Sequence, residues 1–140
     1  RGVPENAAAQ LVMASLLENI ATAMLETDDA GFNAALEGFV AGESIEAVGP
    51  EIRRGLTVAL PSGAEARTEE IVNLVVEQID KTAGSGGHQV LTSWTARVSG
   101  GHWGHMHRRE ISYRGLAEIL QIDGTWVLNG LTVLNAQEAT

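Results

Sequence analysis

The segment from Gly100 to Arg109, which reads GGHWGHMHRR, holds the residues whose types and spacing are best suited to chemistry. Three of the four histidines of the chain follow the pattern His-x-x-His-x-His at His102, His105 and His107. Alternate residues of a strand lie about 6.5 to 7 Å apart at their Cα atoms, so two imidazoles can reach one metal ion, with His102 adding a third nitrogen from a turn. Such a site would hold a divalent metal such as zinc, either to activate water or as a structural ion.

A second hypothesis makes the same segment one wall of a ligand pocket. His105, His107 and Arg109 have the parity of the apolar strand residues that follow them, so they are expected to face the core. Pairing Val98 with His105 would place Arg109 beside Trp94, a cation-π arrangement worth about 1 kcal/mol. An anionic ligand would suit the guanidinium. The predicted ligand-binding residues are Trp94, His105, His107, Arg109 and Tyr113.

Two other interpretations stay open. In one, each imidazole only hydrogen-bonds to a backbone carbonyl or a carboxylate at the open end of a sheet. In the other, the protein is an acid/base enzyme such as an isomerase or dehydratase, with His105 or His107 as the base and Tyr113 or Arg109 polarising the substrate. The sequence has no cysteine and no nucleophile elbow or phosphate-binding loop. It therefore favours a non-catalytic binding module, and we assign no catalytic residue.

Composition limits the possible partners. A chain of 140 residues suits one domain, and 9 basic against 18 acidic residues give a net charge of -9, the wrong sign for nucleic acid. Residues 1–80 hold 4 basic and 14 acidic residues, whereas residues 81–140 hold 5 and 4, so an anion is expected to bind the C-terminal half. No apolar run is long enough to span a bilayer, so a membrane tether would lie outside this chain. A small molecule or a protein, including a second copy of the chain, is left as the partner.

The first half of the sequence predicts helices. Apolar residues at helical spacing indicate a helix over about residues 5–26, followed by a second that is capped by Asp28 or Asp29 and ended by Gly42. Gly49 and Pro50 are expected to restart the chain in a third, short helix that stops near residue 60.

The second half predicts strands. Residues 67–80 fit either a helix or a strand, and their β-branched residues favour a strand. Strict alternation over residues 90–99 and a strand over 105–122 follow, and Asp123-Gly124 is a two-residue hairpin turn. The pairs expected from that turn are Ile122 with Thr125, Ile119 with Leu128, Ala117 with Gly130 and Tyr113 with Leu134, which would place Trp126, Leu128 and Leu134 on the apolar face. The predicted fold class is α+β, one domain over residues 1–140, with helices (about 5–60) packed on a curved antiparallel sheet of about four strands (about 66–137).

This layout resembles the cone-shaped nuclear-transport-factor-2-like (SnoaL-like) superfamily. That resemblance implies a pocket between helices and sheet, in a group that includes enzymes and non-catalytic binding modules. The string GHWGHMHRR, with Tyr113, Gly115, Ala117 and the run from Asp123 to Trp126, is similar to the C-terminal region of uncharacterised bacterial proteins. This second resemblance implies an exported or membrane-anchored, extracytoplasmic module of a longer protein.

Overall fold

The computed structural model of the chain describes residues 6–82, 84, 86–102 and 105–139, without the side chains of His102 and His105. Within that part, three helices precede an open four-stranded antiparallel sheet, which confirms the predicted α+β layout. The helices are α1 (Asn6–Ala23), α2 (Asp29–Leu36) and α3 (Ile45–Leu56), with a short 3-10 helix at Gly42–Ser44. The strands are β1 (Arg67–Lys81), β2 (His88–His102), β3 (His105–Ile122) and β4 (Thr125–Glu138), in the sheet order β1-β2-β3-β4.

The helices differ from the predicted ones at their ends. Asp28 caps α2, its carboxylate accepting the Gly31 N–H at 2.7 Å, but α2 stops at Leu36 rather than at Gly42. Helix α3 begins at Ile45, so Pro50 lies inside it instead of preceding it. A proline there removes one helical hydrogen bond. The apolar face of α3, which buries Val48, Ile52 and Leu56, outweighs that loss.

One hydrophobic core lies between the helices and the inner face of the sheet. Helix α1 packs mainly on β1, and α3 packs mainly on β4. The inner residues of β2 and β3 alternate with exposed or half-buried ones, as the period of a half-buried strand requires. The largest fully buried side chains are Met13, Leu36, Ile52, Ile119, Leu128, Val48, Val90 and Thr92. Residues 67–81 form a strand, and its three register shifts against β2 explain why its sequence does not alternate cleanly.

The hairpin of β3 and β4 follows the prediction only near its turn. Ile122 pairs with Thr125 and Ile119 with Leu128, as expected. An irregularity next to Leu128 then adds one residue to β4, so Gly130 lies opposite Glu118 and not Ala117. A second irregularity places Ala136 opposite Tyr113. The predicted partner of Tyr113, Leu134, is therefore 50% exposed and not part of the apolar face, while Val133 is buried instead. Trp126 is partly buried against the core.

The hairpin of β2 and β3 is tighter than predicted. His102 pairs with His105, so only two residues separate the strands. Val98 consequently pairs with Arg109, and the predicted pairing of Val98 with His105 is wrong by four residues. Because the error is even, every residue keeps the face that its parity predicts.

Side chains of the helices form hydrogen bonds with the backbone of both outer strands. On β1, the Val76 N–H donates to Gln10 Oε1 at 3.3 Å, and Asn6 Nδ2 donates to the Val76 carbonyl at 3.1 Å. On β4, the Val133 N–H donates to Glu51 Oε2 at 2.7 Å, and Arg54 Nη2 donates to the Val133 carbonyl at 3.1 Å. We call these two sets of contacts the edge clasps. Each satisfies one donor and one acceptor that an outer strand would otherwise leave unpaired.

The β4 clasp depends on a close approach of α3. A Cβ atom at Gly55 would lie 2.6 Å from the Val133 Cβ, so only glycine lets the helix come this near. Arg54 is also held by Glu51, with Nε and Nη2 at 2.8 and 2.6 Å from its carboxylate oxygens. These contacts fix α3 on the strand whose C-terminal end borders the candidate site.

No helix in the described part of the chain combines the length and apolar character needed to cross a membrane.

Candidate functional site

Trp94 and Tyr113 face the core as predicted, and they contact each other. They are register partners on β2 and β3, with ring centroids 5.4 Å apart and planes 27° apart, a stacked pair. Their residues are only 4% and 5% exposed. The predicted cation-π contact of Trp94 with Arg109 is wrong, because Arg109 lies opposite Val98, beyond the reach of that stack along the strand.

The space beside this aromatic pair is small. A void of about 20 Å³ lies between α1, α3 and the sheet, and Thr68 and Tyr113 are the polar residues among its lining side chains. Burial raises the pKa of Tyr113 to about 12, so its hydroxyl stays protonated at neutral pH. A void of this size holds about one water molecule. Trp94 and Tyr113 thus fill the interior where the sequence predicts a pocket.

Arg109 lies near the end of the sheet, on the inner face. Its Nε is 3.6 Å from a carboxylate oxygen of Glu138, and its Nη1 donates to the Ala59 carbonyl at 3.4 Å. These contacts connect β3 with the C-terminal end of β4 and with residues 57–66, the connection between α3 and β1. Arg109 therefore joins three segments and is only partly buried.

His107 has the inner-face parity of Arg109 but is exposed. Its register partner is Gly100, and Leu60 packs over that glycine so closely that a Cβ there would collide with the Leu60 side chain. Leu60 is 6% exposed, so the cover of the inner face reaches Gly100. The structure therefore does not bring His107 to Trp94 or Tyr113.

The predicted metal site falls largely outside the described side chains. The backbone pairs His102 with His105, and His107 is two residues along β3. The side chains of His102 and His105 are not described. Among the described residues, no group of three or more histidine, aspartate or glutamate side chains is placed to hold a metal ion.

A cleft of about 500 Å³ opens where the sheet ends beside Arg109. We call it the sheet-end cleft. Register explains the part of its lining that comes from the outer face, because it aligns Glu70, Arg97 and Glu110 in one row across β1, β2 and β3, and Ser99 with Arg108 in the next row. Directly paired residues share a face, so these side chains belong to the outer face of the sheet. The lining residues are Glu69, Glu70, Arg97, Val98, Ser99, Arg108, Arg109, Glu110, Glu138 and Ala139.

The first row is an ion-pair network centred on Arg97. Its Nε donates to Glu110 Oε2 at 2.9 Å and its Nη1 to Glu70 Oε1 at 3.1 Å. The hydrogen bond to Glu110, followed by that to Glu70, raises the pKa of Arg97 above its ordinary value. With carboxylates on both sides, the Arg97 side chain is held across three strands.

The second row differs from the first. The Ser99 hydroxyl, although on the outer face, is nearly buried and donates to Glu69 Oε2 at 2.8 Å. Arg108, its register partner, makes no hydrogen bond or ion pair with any residue that the structure describes. Among the described residues of the cleft, Arg108 is therefore a guanidinium without a protein partner, beside Arg97 and Arg109, which are paired.

Arg109 was among the predicted ligand-binding residues but Arg97 and Arg108 were not, because only side chains on the inner face were expected to bind a ligand. A signal was available. Arg108 and Glu110 alternate with the core-facing residues of β3, and Arg97 has the same outward parity on β2. Charged outward residues on adjacent strands indicate a polar outer face, but their alignment in rows depends on the turn length, which the expected pairing of Val98 with His105 predicted wrongly.

No protein-family model, curated protein or solved structure matches this chain.

Proposed function

We propose that the protein is a non-catalytic binding module that takes a small ligand in the sheet-end cleft. The observation that carries this proposal is the cleft itself, whose volume of about 500 Å³ is in the range of small-molecule sites, roughly 300 to 1,000 Å³. Its walls are strands, so the binding groups are positioned by the sheet rather than by loops.

The chemistry of the lining supports binding rather than catalysis. Every glutamate of the cleft has a donor partner, as Glu69 has Ser99, Glu70 and Glu110 share Arg97, and Glu138 has Arg109. A general base needs a group that is free to take a proton from the substrate. Carboxylates that already accept charged or hydroxyl donors are better suited to hold recognition groups in place.

The same proposal keeps the nuclear-transport-factor-2-like relationship as a hypothesis about the fold. The order of elements and the packing of the helices on a curved sheet support it. Under this hypothesis, aromatic side chains fill the interior space between helices and sheet, and the ligand binds at the end of the sheet.

A fragment screen followed by amide chemical-shift mapping tests the function. We expect shift changes to cluster at Arg97, Ser99, Arg108 and Glu110. Ala139→Trp places a bulky ring on the wall of the cleft and should abolish those changes. Ala136→Trp, at an exposed position of β4 three residues earlier and outside the lining, is the matched control and should leave them unchanged. Binding elsewhere on the protein, or binding that Ala139→Trp does not affect, would contradict the proposal.

Register favours a divalent-metal protein as the second candidate. His102 and His105 are direct backbone partners, and His107 has the same parity as His105, so the three positions are close along the hairpin. Titration of tag-free protein with zinc chloride in a calorimeter tests this, together with His105→Ala and His107→Ala. One saturable site that each substitution removes is expected. Equal zinc uptake by all three proteins would rule the site out.

A further inference from the structure

Among the residues that the structure describes, one charged side chain of the sheet-end cleft has no partner. Arg97 has two carboxylate partners, and Arg109 has Glu138 and the Ala59 carbonyl. Arg108 has none among the described residues, and its side chain is exposed. The lining holds more acidic than basic residues, but each of its glutamates already has a donor partner. The charged side chain without a described partner is the basic Arg108.

The position of Arg108 allows a second guanidinium to assist it. Arg97 pairs with Glu110 and Ser99 with Arg108, so Arg97 and Arg108 are diagonal neighbours on one face. Diagonal neighbours on paired strands lie about 7 to 8 Å apart, within reach of two long side chains. Arg97 uses Nε and Nη1 for its carboxylates, and its Nη2 has no described partner.

We propose that the sheet-end cleft recognises an oxyanion, and that Arg108 is its principal contact, with Arg97 as a second, positioned contact. This inference rests on the proposed binding function and names its ligand class. A guanidinium presents parallel N–H donors that match the two oxygens of a carboxylate or phosphate. A carboxylate at a peptide end or on a small metabolite, and a phosphate group, share this chemistry.

Titrations with sodium acetate and with inorganic phosphate, each at constant ionic strength set by sodium chloride, test the inference by amide chemical-shift mapping. We expect saturable shift changes at residues 97, 99 and 108 with at least one of the two ions. A response to acetate alone would identify a carboxylate ligand, and a stronger response to phosphate would identify a phosphate ligand. Shift changes that chloride reproduces would overturn the inference, because they would show general screening.

Variants separate recognition from nonspecific charge effects. Arg108→Gln should weaken oxyanion binding about tenfold or more, because it removes a charged bidentate donor. Lys81→Gln removes the same charge from an exposed position at the other end of the sheet and should leave the affinity unchanged. Equal weakening by both variants would overturn the inference.

One further variant acts in the opposite direction. Glu110→Gln removes the carboxylate that accepts from Arg97 Nε, so it should release Arg97 and tighten oxyanion binding. Unchanged or weaker binding by a Glu110→Gln variant that unfolds at the same Tm as the wild type would overturn the role of Arg97 as a contact. If acetate and phosphate fail while neutral fragments still bind in the cleft, the oxyanion inference falls and the proposed function stands. If no fragment of any class binds there, both fall.

Discussion

Removal of the Glu51 carboxylate should reveal how much the β4 edge clasp contributes to stability. In Glu51→Ala, the nearly buried Val133 N–H loses a charged acceptor at 2.7 Å, and Arg54 loses its partner. A hydrogen bond to a charged group contributes about 1.5 to 3 kcal/mol. The Glu51 side chain is only 17% exposed, so water replaces the lost acceptor poorly. We expect the free energy of unfolding to fall by about 2 kcal/mol, which lowers Tm by about 7 °C in a domain of this size.

Dependence on pH gives this prediction a second readout. The hydrogen bond from Arg54 lowers the pKa of Glu51 below its ordinary value of 4.5, with a further contribution from the Val133 N–H, while burial acts in the opposite direction. A carboxyl whose pKa is depressed on folding stabilises the protein above its unfolded pKa, and this contribution disappears as the pH falls through the folded pKa. The difference between wild type and Glu51→Ala should therefore be full at neutral pH and shrink below about pH 4.5.

Urea unfolding, followed by circular dichroism at neutral and acidic pH, measures both effects. Glu51→Gln keeps a neutral acceptor and should lose about half as much stability as Glu51→Ala. Glu46→Ala removes an exposed glutamate from the same helix and should change the free energy by no more than about 0.5 kcal/mol. The reasoning is refuted if Glu51→Ala and Glu46→Ala are equally stable, or if their difference does not depend on pH.

Two other substitutions test the packing of the core, and a third tests an exposed ion pair. Gly100→Ala should lower the free energy of unfolding by about 1 to 3 kcal/mol, because its Cβ would collide with Leu60. The same substitution in a Leu60→Ala background should cost much less, and additive effects in the double mutant would contradict this prediction. Trp94→Ala should lower the free energy of unfolding by about 3 to 5 kcal/mol and open a cavity in the core. Added indole should then raise the Tm of the variant but not that of the wild type. If indole does not stabilise the variant, the core has collapsed into the cavity and the prediction is wrong. Arg114→Gln breaks the exposed pair with Glu77 and should change the free energy by less than about 1 kcal/mol at neutral pH, a limit that thermal unfolding can check.

Local signals in the sequence were enough to predict most of the fold. Asp123-Gly124 determined the turn of β3 and β4, and alternation determined which residues of β2 and β3 face the core. The bulge next to Leu128 was not predictable, because Asn129 resembles any other residue of the strand until its partner is known. The start of α3 was predicted wrongly from Pro50 for a related reason. The stability gained by packing the apolar face of α3 is a tertiary effect, which the local sequence does not show.

The candidate site was harder to predict than the fold. Trp94 and Tyr113 were correctly expected to face inward, but their stacking depends on the length of the turn between β2 and β3, which parity does not determine. The rows that contain Arg97 and Arg108 depend on the same unknown. Charge pairing across strands is a property of register, and register over a glycine-rich turn is weakly encoded in sequence.

The tight hairpin of β2 and β3 has a consequence for how this protein can vary. Leu60 covers Gly100, and the described side of the tip beyond it, Gly101 on β2 with Met106 and His107 on β3, is exposed. Deletion or insertion of two residues in each strand would leave every remaining side chain on its present face. We therefore expect the fold to tolerate changes in the length of this hairpin in even steps, with the ion-pair rows below the tip staying in register.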